Sequence, residues 1–259
     1  MQPRAEKDTH HKSHLKKRNS ELQSIIGWAI TNDIPDLIWV HNEKSADGGY
    51  WSGLPRNPDK LRELETLRIK CKNLTYVPAE IGCLTALKKL HIFSKSIAAL
   101  PSEIGQLKQL DTLCLIGGEL TSLPDELCQL PKLKKLELSG SPFREIPTQI
   151  FKLSSLTELR LARCELKLIP TQIAQLKKLI WLDLRNNQLT KVPEAVFELI
   201  NLHFLLLGSN QIDNLSASVE KLQQLMWLDL KENDLEVLPK EIDSLQEMVT
   251  LGLEGNKLR

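Results

Sequence analysis

The chain has 259 residues, 41% of them hydrophobic, enough to bury a substantial core, and its formal net charge of +1 argues against a dedicated nucleic-acid binder. No run of 18 apolar residues is present to span a membrane, and the basic N-terminus is not followed by an apolar segment of signal-peptide type. The five cysteines are odd in number and lack disulfide-framework spacing, which suits a reducing compartment, so a cytoplasmic protein is expected.

Residues 1–19 carry six basic and two acidic side chains without periodicity and are expected to form a disordered basic tail. His10, His11 and His14 would be metal ligands only in a helix, and a flexible tail is the plainer reading. Residues 20–60 predict an N-terminal cap. Ser20 and Gln23 have capping-box spacing, Leu22, Ile25, Ile26, Ala29 and Ile30 form one helical stripe, and "NDIP" stops it. "LIWV" at 37–40 predicts an edge strand. Leu54-Pro55 stands one period before Val77-Pro78, which predicts a degenerate zeroth repeat interrupted by a loop.

From residue 61 to 259 the chain repeats. Leu61, Leu84, Leu107, Leu130, Leu153, Leu176, Leu199, Leu222 and Leu245 open nine units of 23 residues, the last incomplete. Each unit reads L-x-x-L-x-x-L-x-L and usually continues to a proline, two free positions and an aliphatic residue. A short strand cannot bury its inward leucines alone, but copies stacked in parallel join them into one continuous core. The unbroken period therefore predicts a right-handed curved solenoid of about nine parallel strands, a sheet about 40 Å across. Proline early in each return favours an extended or one-turn path, so little convex helix is expected. Only the seventh unit replaces this proline, with Ser216, and a different turn is expected there.

These residues resemble the leucine-rich repeat family, whose signature is L-x-x-L-x-L-x-x-N/C-x-L. The "LPxxIxxL" form is similar to the 23-residue class of intracellular Ras-signalling scaffolds and of bacterial effectors delivered into host cells. The resemblance implies an α/β leucine-rich-repeat horseshoe, a nonenzymatic protein-binding role on the concave face, and, for a delivered effector, action in the host cytosol. Some effector relatives join the repeats to a ubiquitin-ligase domain, so an alternative is the substrate-targeting part of a larger enzyme, although no residues are left over here to form such a domain. A structural or oligomerising repeat protein is a further alternative: the sequence stops fourteen places into the ninth unit, leaving an uncapped edge open to self-association.

The asparagine column of the signature reads Lys72, Lys95, Gly118, Ser141, Cys164, Asn187, Asn210, Asn233 and Asn256. Asparagine there satisfies loop backbone groups. The first four units depart from it, and a less regular N-terminal half is expected.

With each unit's first leucine counted as zero, strand alternation sends offsets 6 and 8 inward and offsets 5, 7 and 9 onto the concave face. The offset-5 column runs Thr66, Lys89, Thr112, Lys135, Glu158, Trp181, Phe204, Trp227, Thr250. Its three consecutive aromatics, with Ile180, His203, Leu206 and Met226 beside them and Arg160, Asp183, Arg185, Asp229 and Lys231 around them, have the composition of a protein-binding hot spot. The competing reading is a self-stacking ladder that touches no partner. His91, Cys114 and Glu137 in adjacent strands suggest a nucleophile or half a zinc site, but the carboxylate lies two strands from the imidazole and cannot orient it. No catalytic residue, metal or cofactor is therefore assigned. Units 1 to 5 form a mildly basic end without interleaved aromatics, so RNA binding is not expected.

Overall fold

The computed structural model describes residues 19–41 and 49–259, so the basic tail with His10, His11 and His14 lies outside the described residues. Helix α1 covers residues 19–31 and buries Leu22, Ile25, Ile26, Trp28 and Ala29 in the same core as Leu61 and Leu67 of the first unit. Two side-chain contacts fix it there: the Cys83 thiol donates to Glu21 Oε2 at 3.0 Å, and Cys71 Sγ reaches Asn32 O at 3.4 Å. Ser20 lies inside the helix and its carbonyl accepts from Ser24 Oγ, while Ile30, expected on the buried stripe, is exposed. Trp28 is buried instead, on the opposite flank of the stripe from Ile30, so the core lies toward the Trp28 side of the helix.

The predicted strand is one arm of a hairpin. β1, Ile38–His41, pairs antiparallel with β2, Gly49–Ser52, and the chain then bridges antiparallel to the first repeat strand through Gly53 and Arg68. Gly53 has a φ of +102°, and a Cβ there would stand 2.4 Å from Asp36 O, so only glycine permits this crossing. The expected zeroth repeat thus adds no parallel strand. Leu54 is still buried, and helix α2, Pro58–Arg62, follows, opened by Asn57, whose Oδ1 accepts from Asp59 N at 2.8 Å, with Pro58 at its first position.

Nine strands, β3 (Thr66–Lys70), β4 (Lys89–Phe93), β5 (Thr112–Ile116), β6 (Lys135–Glu137), β7 (Glu158–Arg160), β8 (Trp181–Asp183), β9 (Phe204–Leu206), β10 (Trp227–Asp229) and β11 (Thr250–Gly252), form one parallel sheet in chain order. Residues 23 apart are register partners at every step, as in Leu182↔Leu205 and Leu205↔Leu228. The inward leucines of β3 to β10 are buried and join one core with α1. Units 1 to 8 each return through a five-residue 3₁₀ turn that begins after the proline, or after Ser216 in the seventh, such as Thr171–Gln175 after Pro170. Ser216 does not change the path. It adopts φ −68°, within the range of the prolines, and its side chain accepts from Ser218 N at 3.2 Å, replacing a fixed dihedral by a cap.

The asparagine ladder explains how strand ends are satisfied. Asn210 Oδ1 accepts from Leu189 N at 3.0 Å, and its Nδ2 donates to Leu184 O at 3.0 Å and Leu207 O at 2.8 Å, tying two units together; Asn187, Asn233 and Asn256 repeat the pattern. Units without asparagine use other devices. Ser94 Oγ donates to Leu74 O at 2.8 Å, and Gly118 allows an approach that would put a Cβ 2.8 Å from Ile97 O. The strands of units 1 to 3 run five residues, against three in units 4 to 9, so the N-terminal sheet is the more continuous one, contrary to expectation. Asn210→Ala would strand the buried Leu189 N–H, while Leu184 O and Leu207 O keep Asn187 and Asn233 as donors, and is expected to cost about 1–3 kcal/mol. Ser141, in the same column, has a buried Oγ without a partner, so Ser141→Ala is expected to be neutral or stabilising; paired urea titrations check both.

Candidate protein interface on the concave face

The register places every offset-5 residue beside its neighbours in the adjoining units, so Glu158, Trp181, Phe204 and Trp227 form an unbroken row. Much of that row is already engaged. Lys135 Nζ lies 2.9 Å from Glu158 Oε1, Arg160 Nε approaches the same oxygen at 2.5 Å, and the Arg160 guanidinium sits over the Trp181 ring at 4.7 Å. Trp181 then stacks on Phe204, with ring centroids 4.4 Å apart and planes inclined by 27°. Electrostatic and aromatic contacts therefore run from β6 to β9, each worth about 0.5–1.5 kcal/mol. For these residues the ladder reading describes the resting state.

Trp227 differs. It is in register with Phe204 but 41% exposed, and Ile180, Met226 and Val249 along the adjacent margin are exposed as well. His203 lies between Ile180 and Met226, half-buried, its Nδ1 donating to Asn201 O at 2.8 Å. Val249, 79% exposed, extends the strip by one unit and was readable from its offset.

Three expected contact residues, Asp183, Leu206 and Asp229, are buried. Asp183 is 2% exposed because Arg185 folds over it, donating from Nε to Oδ1 at 3.0 Å and from Nη2 to Oδ2 at 2.7 Å. Leu206 is 3% exposed: the concave side crowds its side chains, and register sets Leu206 between Asp183 and Asp229. Both support the surface from beneath. Asp229 is 9% exposed and accepts from Lys231 N at 3.2 Å, while Lys231 Nζ turns to Glu254 Oε2 at 3.1 Å. Arg160, Arg185 and Lys231 remain partly accessible at the border.

His91, Cys114 and Glu137 are adjacent in register, yet the chemistry runs away from catalysis. Burial, helped by the Glu137 carboxylate, pushes the Cys114 thiol up to about 12, so no thiolate nucleophile forms at neutral pH. Burial, with Arg68, Lys135 and Lys89 nearby, lowers His91 to about 4. Among the described residues no group of three His, Cys, Asp or Glu side chains could hold a metal ion, and no helix is long and apolar enough to cross a membrane. The depressed His91 value has a consequence for stability. An imidazole near 6.5 in the unfolded chain and near 4 in the fold takes up protons preferentially on unfolding, so its contribution is intact above pH 6.5 and is lost as pH falls through 4. Replacement by glutamine, His91→Gln, is expected to flatten the loss of stability over that window, measured as urea midpoints against pH.

Family models described as "Leucine-rich repeat region" and "Leucine rich repeat" match residues 80–165 and residues 154–212 and 200–258. The chain belongs to the leucine-rich repeat family. No curated protein matches the sequence of this leucine-rich repeat chain. Among solved structures it is similar to the Arabidopsis receptor kinase HAESA in complex with the peptide hormone IDA and the co-receptor SERK1. That match has 26% identity and a TM-score of 0.64, and covers 79% of this chain and 36% of that one. The ectodomain of the Arabidopsis receptor kinase GASSHO1/SCHENGEN3, in complex with CASPARIAN STRIP INTEGRITY FACTOR 2, matches at 29% identity and a TM-score of 0.58, over 79% and 29% of the two chains. This chain thus spans about a third of the length of each of those two matched chains. An internalin of Listeria monocytogenes, 16% identical with a TM-score of 0.51 over 84% and 86%, shares the fold.

Proposed function

We propose that this leucine-rich repeat domain is a nonenzymatic recognition module whose concave face binds a partner protein or peptide across units 6 to 9. One observation carries the reading: Trp227, the aromatic of the row left outside the stack, stands exposed beside Met226, with Val249 one unit on and Ile180 two units back along the same margin, and with charged side chains at the border. Exposed aromatic and aliphatic side chains grouped inside a polar rim are what a protein hot spot requires. That HAESA is seen with a bound peptide hormone supports a ligand-binding role for repeats of this architecture. The 23-residue form of the repeat supports a cytosolic scaffold or a delivered effector as the setting. The test is capture on immobilised wild-type and Trp227→Ala proteins of equal melting temperature. Proteins retained by the first and lost from the second support the reading, and identical capture profiles remove it.

A further inference from the structure

The sequence Trp-Leu-Asp-Leu occurs twice, at 181–184 in the sixth unit and at 227–230 in the eighth. Both copies present the indole and the carboxylate two residues apart on the concave face of a strand, with the leucines inward. In the first copy the chain supplies a cation to each group. Arg160, one strand back, covers the Trp181 ring at 4.7 Å, and Arg185, two residues on, clamps Asp183 with two side-chain hydrogen bonds.

In the second copy neither group is met by a cationic side chain. The position one strand back from Asp229, equivalent to Arg160, is Leu206, which is apolar and buried. The position equivalent to Arg185 is Lys231, whose Nζ is turned to Glu254 at 3.1 Å and whose backbone N alone donates to Asp229, at 3.2 Å. Arg185 itself feels the Asp229 charge, but its side-chain hydrogen bonds go to Asp183. Glycines border Asp229 on two sides: Gly252, with the Lys231 stem lying across it, is its register partner on β11, and Gly208 lies against it from the segment that follows β9. A Cβ on Gly208 would stand 3.0 and 3.1 Å from the two carboxylate oxygens, and one on Gly252 would stand 3.0 Å from Oδ1. What remains is a carboxylate nine-tenths buried, with its one hydrogen bond from a backbone N–H, two residues along the strand from an indole that is 41% exposed.

We propose that Trp227 and Asp229 form a subsite for an arginine side chain of the bound partner, which does in the eighth unit what Arg160 and Arg185 do in the sixth. This rests on the concave-face reading and names the chemistry that the face selects. The spacing suits a guanidinium. Side chains two apart on one strand stand about 6.8 Å apart, so a plane laid on the indole can still direct N–H groups at the carboxylate. Lysine, a compact point charge without the planar fork, satisfies one group at the expense of the other. The partner segment is therefore an arginine-bearing peptide surface, flanked by apolar residues for Met226 and Val249.

The experiment uses a library of random twelve-residue peptides displayed on phage and panned on the full chain. Selected peptides are then synthesised and titrated against wild type, Trp227→Ala, Asp229→Asn and Asp243→Asn. The expected result is a shared arginine whose replacement by citrulline weakens binding tenfold or more. Asp229→Asn should weaken the arginine peptide by a similar factor and add nothing further to the citrulline peptide, the mark of a direct pair. Asp243→Asn, on the exposed return of the eighth unit, should leave affinity unchanged. The amide in Asp229→Asn keeps an oxygen for Lys231 N, so this variant should melt at or above the wild-type temperature. Peptides that lose binding with Trp227→Ala but tolerate both Asp229→Asn and citrulline overturn the arginine subsite while the concave face stands. Peptides indifferent to Trp227→Ala and Asp229→Asn alike overturn both.

Discussion

Leu205→Ala is expected to lower the free energy of unfolding by about 2–5 kcal/mol, through lost transfer energy and the cavity left behind. Leu205 is fully buried at the centre of β9, with Leu182 and Leu228 as its register partners on either side. Those neighbours belong to strands fixed by their own ladders, so they cannot move in to fill the space, which favours the upper part of the range. In a solenoid, stability is close to a sum over units and the interfaces between them. The cavity touches two interfaces, so the urea transition should broaden as well as shift, with units 8 and 9 unfolding ahead of units 1 to 6. Circular dichroism reports the midpoint, and hydrogen exchange resolves the order. A cost below about 1 kcal/mol with an unbroadened transition would contradict the assignment of Leu205 to a tightly packed interior.

The 23-residue period makes the sheet legible because inward leucines recur at fixed offsets and register has no freedom once they stack: Leu182, Leu205 and Leu228 align as their numbers require. The same logic placed Trp181, Phe204 and Trp227 in one row. What the period does not encode is how neighbouring concave side chains partition their contacts. Arg160 and Arg185 were expected at the border of the aromatic surface, yet one covers Trp181 and the other seals Asp183, because each long side chain chooses between several partners within reach on adjoining strands. Leu206 is buried for a related reason, its place between two aspartates on the inner side of a curved sheet. The N-terminal segment was least legible where periodicity fails. Trp28 rather than Ile30 is buried on α1, and after the β1–β2 hairpin the chain bridges antiparallel to β3 through Gly53, so the segment expected as a degenerate zeroth repeat adds no parallel strand. Ser216 reached the proline geometry by a side-chain cap, a route that residue type alone did not distinguish from a changed turn.

Among the three aromatics, the structure separates two effects that the sequence left joined. Trp181 sits between the Arg160 guanidinium and the Phe204 ring, so Trp181→Ala removes a cation–π contact and a stacked pair together and is expected to cost about 1–3 kcal/mol of stability. Phe204→Ala, which leaves Trp181 without its stacking partner, is expected to lower both stability and partner affinity. Trp227→Ala is expected to behave differently. The indole stands outside the stack and 41% exposed, while the leucines on either side of it in the strand pattern, Leu225 and Leu228, stay buried, so the melting temperature should change little. Its loss should weaken a bound partner by about 2 kcal/mol or more, roughly thirtyfold, the scale of an anchoring aromatic at the centre of an interface. The slower dissociation of the wild-type complex should carry most of that difference, since an apolar anchor acts after encounter and leaves long-range steering unchanged. Calorimetric melting and surface-immobilised kinetics on the same three variants read both quantities. If Trp227→Ala lowers the melting temperature as far as Trp181→Ala does and leaves the affinity of every captured partner intact, the row is a stabilising ladder along its whole length and the partner binds elsewhere.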